Sequence, residues 1–198
     1  DVYDQQAMGV YADRTAAKYG ITREAQDEFA INSYKKSAAS TEKGLFQNEI
    51  IAVEVATRKG NVLISEDEEY KNVSFDKIPG LRPAFSKDGT VTAANASTIN
   101  DGAAALVLAS ADAVKRLNLK PIARIVSFAD GEQAPEWFTT APTIATPIAL
   151  QRAGLTLKDI SFFEVNEAFS VVPMTFAQVL DFDPALMNRF GGAVSLGH

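Results

Sequence analysis

The chain has 198 residues, 46% of them hydrophobic, and a formal net charge of −6. This is the composition of a globular protein with a sizeable core, and the negative balance argues against nucleic acid, whose phosphates demand clustered Lys and Arg. The absence of cysteine excludes disulfides, thiolate metal sites and cysteine nucleophiles within these residues. No apolar run reaches the ~18 residues of a membrane span.

In chain order, the first segment reads as a helix, with Met8-Gly9-Val10-Tyr11-Ala12 and Thr15-Ala16-Ala17 leading to Gly20, a residue suited to a left-handed C-terminal turn. Thr22 then offers an N-cap oxygen to a second helix running to Gly44. Its expected buried face carries Phe29, Ala30, Ser33, Tyr34 and Ala38, at three- and four-residue steps. Residues 49–55 and 61–64 are β-rich runs around Thr57-Arg58-Lys59-Gly60, a hairpin signal. Residues 66–90, with Pro79, Gly80, Pro83 and Gly89, read as a long ordered loop, a length that is usually functional or disordered.

From Thr90 the pattern becomes α/β. Strands are expected at 102–108, 121–128 and 160–165, and helices at 110–117, 146–153 (closed by Gly154) and 168–180. Such alternation predicts a layered α/β domain.

Three stretches could carry chemistry. Asn166 sits between a predicted strand and helix, where it would serve as an N-cap or point into the cleft at the strand end. Glu167 is most simply a first-turn complement to the helix dipole. The small residues 93–97 suit close backbone packing, or a wall against which a thin ligand lies. Gly191-Gly192 and Gly197 suit turns. His198, the only histidine, is then either an ordinary exposed residue or an imidazole left uncovered by the glycine before it, as a reaction site requires.

Taken together, Asn188-x-x-Gly191-Gly192-Ala193-Val194-Ser195-Leu196-Gly197-His198 resembles the C-terminal signature of the thiolases. Asn166-Glu167-Ala168-Phe169 resembles their second catalytic motif, and Asn95-Ala96-Ser97 with Asn100-Asp101-Gly102 a third block. The chain begins with Asp1 and breaks off inside a motif, so it reads as a piece of a longer polypeptide.

The resemblance implies an incomplete thiolase fold, layered αβαβα. Residues 1–89 would form a loop (lid) domain that binds coenzyme A, 90–118 the end of the N-terminal half and 119–198 a truncated C-terminal half. It implies Claisen condensation of two acetyl-CoA to acetoacetyl-CoA and the reverse thiolysis, with both reactive cysteines outside these residues and the stretch inactive by itself. His198 would activate the nucleophile and donate to an oxyanion, and Asn166 would hold a water as the second donor. Ser97 would touch the pantetheine arm, Ala84, Phe85 and Phe169 would wall it, and Lys77 would meet the phosphates. Tyr34 resembles the tyrosine of the potassium-responsive branch, with Ala93, Ala94, Ala96 and Val194 as further cation ligands. The expected assembly is a homodimer or homotetramer, in mitochondria or alternatively the cytoplasm. The rival readings are a degradative 3-ketoacyl-CoA thiolase of broad chain length and a non-catalytic piece that binds CoA or a partner subunit.

Overall fold

A computed structural model describes all 198 residues. Local signals fix the first two helices. Helix α1 (Met8–Tyr19) ends at Gly20, whose left-handed φ of 65° lets its N–H reach the Ala16 and Ala17 carbonyls. Helix α2 (Arg23–Glu42) starts at Thr22, whose hydroxyl accepts the Ala25 N–H at 3.2 Å. The buried face of α2 keeps Ala30, Ser33 and Tyr34 of the expected stripe and extends it with polar residues. It is Gln26, Asp27, Ala30, Ser33, Tyr34, Ser37 and Ser40, while Ala38 is exposed. Several of these polar groups are buried because they meet polar partners in other segments, which a count of apolar residues does not detect.

The hairpin forms as expected from β1 (Val53–Thr57) and β2 (Gly60–Ile64), antiparallel with Val53 opposite Ile64. Residues 66–90 form an ordered loop holding two short 3₁₀ turns, Glu69–Lys71 and Phe75–Gly80. Farther on, α3 (Ala111–Arg116) is capped by the Ser110 hydroxyl. Helix α4 (Pro142–Ala153) begins four residues before the expected start and closes at Gly154, φ 69°. Helix α5 (Val171–Leu180) begins three residues later than expected, and α6 (Ala193–Leu196) is a single turn.

The strands expected at 102–108, 121–128 and 160–165 do not form. The sole sheet is the two-stranded hairpin, and in the third segment only Phe163 makes a bridge, parallel to Met187. A strand exists through its neighbours, because its N–H and C=O groups point sideways and need a partner backbone. Here Leu106 is 90% and Val107 95% exposed, and Ile125 and Phe128 are also uncovered. The sheet layers of the expected architecture are therefore not completed by these residues.

The core lies where α1, the 90–97 turn and the start of α5 meet. Ala12, Ala16, Ile21, Val91, Ala96, Phe169, Val171 and Val172 form its main cluster. A second cluster packs Phe176, Ala177 and Met187 with the rings of Phe163 and Phe182, whose centroids are 4.5 Å apart. These two clusters hold in place the segments that carry the motifs.

Candidate active site

The 90–97 turn is built on one fully buried amide. Asn95 Oδ1 accepts the Thr92 N–H at 2.8 Å, and its Nδ2 donates to Asp27 of α2 at 2.9 Å and to the Thr90 carbonyl at 3.1 Å. Asp27 also pairs with Arg23 at 2.7 Å, and Arg23 donates to the carbonyls of Ile78 and Leu81. A polar chain thus ties the 66–90 loop to the turn.

The turn lies antiparallel to the segment before α5. Ser170 N–H reaches the Asn95 carbonyl at 2.8 Å and Ser97 N–H the Ala168 carbonyl at 3.1 Å, around an Ala96–Phe169 bridge. The chain end docks on the other side. Ser97 Oγ and His198 Nδ1 share a hydrogen bond of 2.6 Å, and the His198 N–H reaches the Thr98 carbonyl at 3.0 Å. Gly197 precedes the imidazole at φ 82°, and a Cβ there would collide with the Asn100 side chain; only glycine combines that backbone angle with that approach.

Glu167 is not a surface complement to a helix dipole. It is 1% exposed, accepts the Ser33 hydroxyl at 2.6 Å, the Asn188 amide at 2.8 Å and the Val194 N–H at 3.2 Å, and so joins α2, the 188 turn and α6. A side chain on Gly192 would overlap its carboxylate. Asn188, at a left-handed φ of 46°, also pairs its amide both ways with the Val165 backbone, at 2.8 Å each. Ser195 bridges Ser33 and Ser37 at 3.1 and 2.6 Å. The turn carrying His198 is therefore registered against the segment carrying Asn166 by buried polar bonds.

Asn166 does not cap a helix, since α5 begins five residues later behind Ser170. Its side chain is exposed and hydrogen-bonds to no residue of the chain, two positions from the carbonyl that Ser97 holds. Phe85 meets Phe169 edge-on at 6.0 Å, and Gly9 lies so close that a Cβ would enter the Phe85 ring. Ala84 is exposed, its N–H on the Val91 carbonyl at 2.8 Å. Lys77 is exposed on the 3₁₀ turn anchored by the buried Ile78, and the structure does not bring it onto the other residues.

Tyr34 and Val194 are brought together with Ala30 in one small buried cluster. Ala94 and Ala96 are buried, whereas Ala93 is exposed. The Tyr34 hydroxyl and the carbonyls of Ala93, Ala94, Ala96 and Val194 take no hydrogen bond within the chain. Burial, and then the Glu69 carboxylate, push the Tyr34 phenol up to about 12 from its ordinary 10.0. The unfolded chain releases that proton first, so this residue's contribution to stability should be complete below pH 10 and be lost as pH rises through about 12. Alkaline titration of phenolate absorbance, with Tyr34→Phe as the difference, should show one tyrosine ionising about two pH units late.

The thiolase N-terminal domain family model matches residues 1–112, and the thiolase C-terminal domain model matches residues 119–198. The chain belongs to the thiolase family. It is 54% identical over 200 residues to the mitochondrial acetyl-CoA acetyltransferase of Bos taurus, covering 100% of this chain and 47% of that protein. To the cytosolic acetyl-CoA acetyltransferase ERG10 of Gibberella zeae it is 48% identical over 200 residues, covering 100% and 50%. The Acat5 thiolase from Ascaris suum in complex with coenzyme A matches with a TM-score of 0.92 and 47% identity, over 98% of this chain and 50% of that one. Human mitochondrial 3-ketoacyl-CoA thiolase matches with a TM-score of 0.95 and 40% identity, over 100% and 50%. This thiolase chain spans about half the length of the curated relatives it matches. Its fold is the thiolase fold, although the sheets are not closed within it.

From the sequence Glu167 reads as a dipole complement, Ser33 only as a member of a buried face and Asn188 only as part of the pattern; the bonds that join the three are visible only in the structure. A signal was present. A glutamate set between Asn166 and the apolar Ala168-Phe169 is an unusual place for a solvated charge.

Proposed function

We propose that the full-length thiolase containing these residues is an acetyl-CoA C-acetyltransferase. It joins two acetyl-CoA into acetoacetyl-CoA and CoA, and runs the thiolysis in reverse. The observation that carries this reading is the meeting of three motif segments at Ser97, which holds the Ala168 carbonyl through its N–H and the His198 ring through its hydroxyl.

The chain has no cysteine, so on this reading the thiol that accepts the acetyl group comes from outside these residues and this stretch alone is inactive. His198 Nε2, opposite the nitrogen that Ser97 occupies, takes the thiol proton and makes the thiolate nucleophilic. With its proton on Nε2 the ring donates to the thioester oxygen as charge develops there, and a water on the free Asn166 amide donates beside it. That amide makes no hydrogen bond within the chain, which leaves both its oxygen and its NH₂ free to hold a water and supports the role.

Residues 1–89 act as the lid domain, 90–118 as the end of the first half and 119–198 as part of the second. Phe85 and Phe169, already in contact, wall the pantetheine arm with Ala84, Ser97 touches it, and Lys77 meets the phosphates. The coenzyme A complex of the Ascaris relative supports a CoA ligand. Tyr34 and the carbonyls of Ala93, Ala94, Ala96 and Val194 would hold potassium, on oxygens that no other group of the chain occupies. The assembly is a homodimer or homotetramer. Mitochondrial location is the reading that the Bos taurus relative supports, with the cytosol as the alternative that the Gibberella relative supports.

The second reading, a broad-range 3-ketoacyl-CoA thiolase, is favoured by the structural match to the human enzyme of that name. Thiolysis rates on the full-length enzyme across 3-ketoacyl-CoA chain lengths separate the two. The proposed activity predicts turnover confined to acetoacetyl-CoA and its nearest homologues. Comparable kcat/KM on long chains would transfer the assignment to the second reading.

A further inference from the structure

Resting on the reading just given, we infer that Ser97 is the positioning residue that lets one imidazole, His198, act both as a base and as an oxyanion donor. The bond between Ser97 Oγ and His198 Nδ1 is 2.6 Å, and both partners are fixed by backbone: Ser97 N–H on Ala168, His198 N–H on Thr98. The second nitrogen, Nε2, is the one left for chemistry. No charged side chain of the chain hydrogen-bonds or ion-pairs with the ring. The Glu167 carboxylate is committed to Ser33, Asn188 and Val194.

The chemical type of this partner matters. A carboxylate accepts only; it would pin the proton on Nδ1 and raise the basicity of the ring. A hydroxyl donates or accepts by turning its O–H. With a proton on Nδ1, Ser97 accepts, and Nε2 presents a lone pair that can take a thiol proton. When Nε2 takes that proton the ring carries both, with Nδ1–H still donating to Ser97; once the exposed ring returns the Nδ1 proton to solvent, Ser97 turns to donate to Nδ1, and Nε2–H points at the oxygen to be stabilised. Each state keeps a full hydrogen bond on Nδ1, so neither is penalised by an unpaired ring nitrogen. Ser97 itself neither gains nor loses a proton.

Three variants of the full-length enzyme test this: Ser97→Ala, Ser97→Thr and Ser97→Asp. Ser97→Ala should lower kcat for acetoacetyl-CoA thiolysis about tenfold to a hundredfold, by more than the lost pantetheine contact raises KM, and should move the apparent pKa in the kcat/KM profile. Ser97→Thr, which restores a hydroxyl, should recover most of the loss. Imidazole nitrogen NMR, with the His198 resonances identified by their loss in His198→Gln, gives a readout independent of turnover. Wild type should show both tautomers in exchange, and Ser97→Asp a single Nδ1–H tautomer. A raised KM with unchanged kcat and pH profile in Ser97→Ala would leave Ser97 as a ligand wall only and overturn the inference, as would a ring whose tautomer ignores all three substitutions. Absence of thiolysis in wild type, with the tautomer exchange present, would remove the parent reading and leave the hydrogen-bond role of Ser97 standing.

Discussion

Replacing His198 with alanine in the full-length enzyme should lower kcat/KM for acetoacetyl-CoA thiolysis by about a thousandfold or more, on the order of 4 kcal/mol of transition-state stabilisation. General-base transfer typically contributes about 10²–10⁴-fold, and one oxyanion donor about 10²–10³-fold. Because a single ring supplies both, the losses do not multiply; removing the ring removes a unit. The fold should survive, since His198 is exposed and its N–H bond to Thr98 is backbone. Steady-state kinetics with a thermal melt as control check this. A loss below about tenfold would show that the imidazole is not at the reaction centre.

The largest stability effect should come from Glu167→Ala. The substitution removes one acceptor from three donors at once, the Ser33 hydroxyl, the Asn188 amide and the Val194 N–H, at a site that is 1% exposed. Buried donors left without partners cost about 1–3 kcal/mol each when nothing relaxes. Relaxation and water entry into the new cavity offset part of that, so about 3–5 kcal/mol is expected in total. That is a large share of the 5–15 kcal/mol typical of a folded domain. Glu167→Gln should cost less, because its carbonyl still accepts, but its NH₂ must face a donor. Urea unfolding of the full-length enzyme measures both, as a shift in midpoint at constant slope. A change under about 1 kcal/mol for the alanine variant would mean that the network contributes little.

These two residues lie on either side of what the sequence discloses. His198 was legible from a linear motif, and its use needed only the family pattern. The helix ends at Gly20, Thr22, Ser110 and Gly154 were legible too, because caps are local and the responsible atom lies within four residues. Glu167 was misread as a dipole complement, since its partners Ser33 and Asn188 lie 134 and 21 positions away. The burial of Ser37 escaped the sequence reading for the same reason: its hydroxyl is met by Ser195, 158 positions away.

The segments 102–108 and 121–128 failed differently. Their composition is that of strands, but a strand needs a neighbour, and within these residues none pairs with them. Pattern reading identified what these segments are suited to and had no means of detecting whether a partner is present. The Ser97–His198 bond is an intermediate case. Both residues stood out by motif, yet a separation of 101 positions hid the fact that they touch.

The proposed chemistry depends most on one arrangement, and a crystal structure of the full-length enzyme with acetyl-CoA bound tests it most directly. It should show the thioester oxygen about 3 Å from His198 Nε2 and from a water held by the Asn166 amide, with Ser97 Oγ on Nδ1. A bound thioester whose oxygen meets neither group, or His198 and Asn166 facing different cavities, would contradict the account.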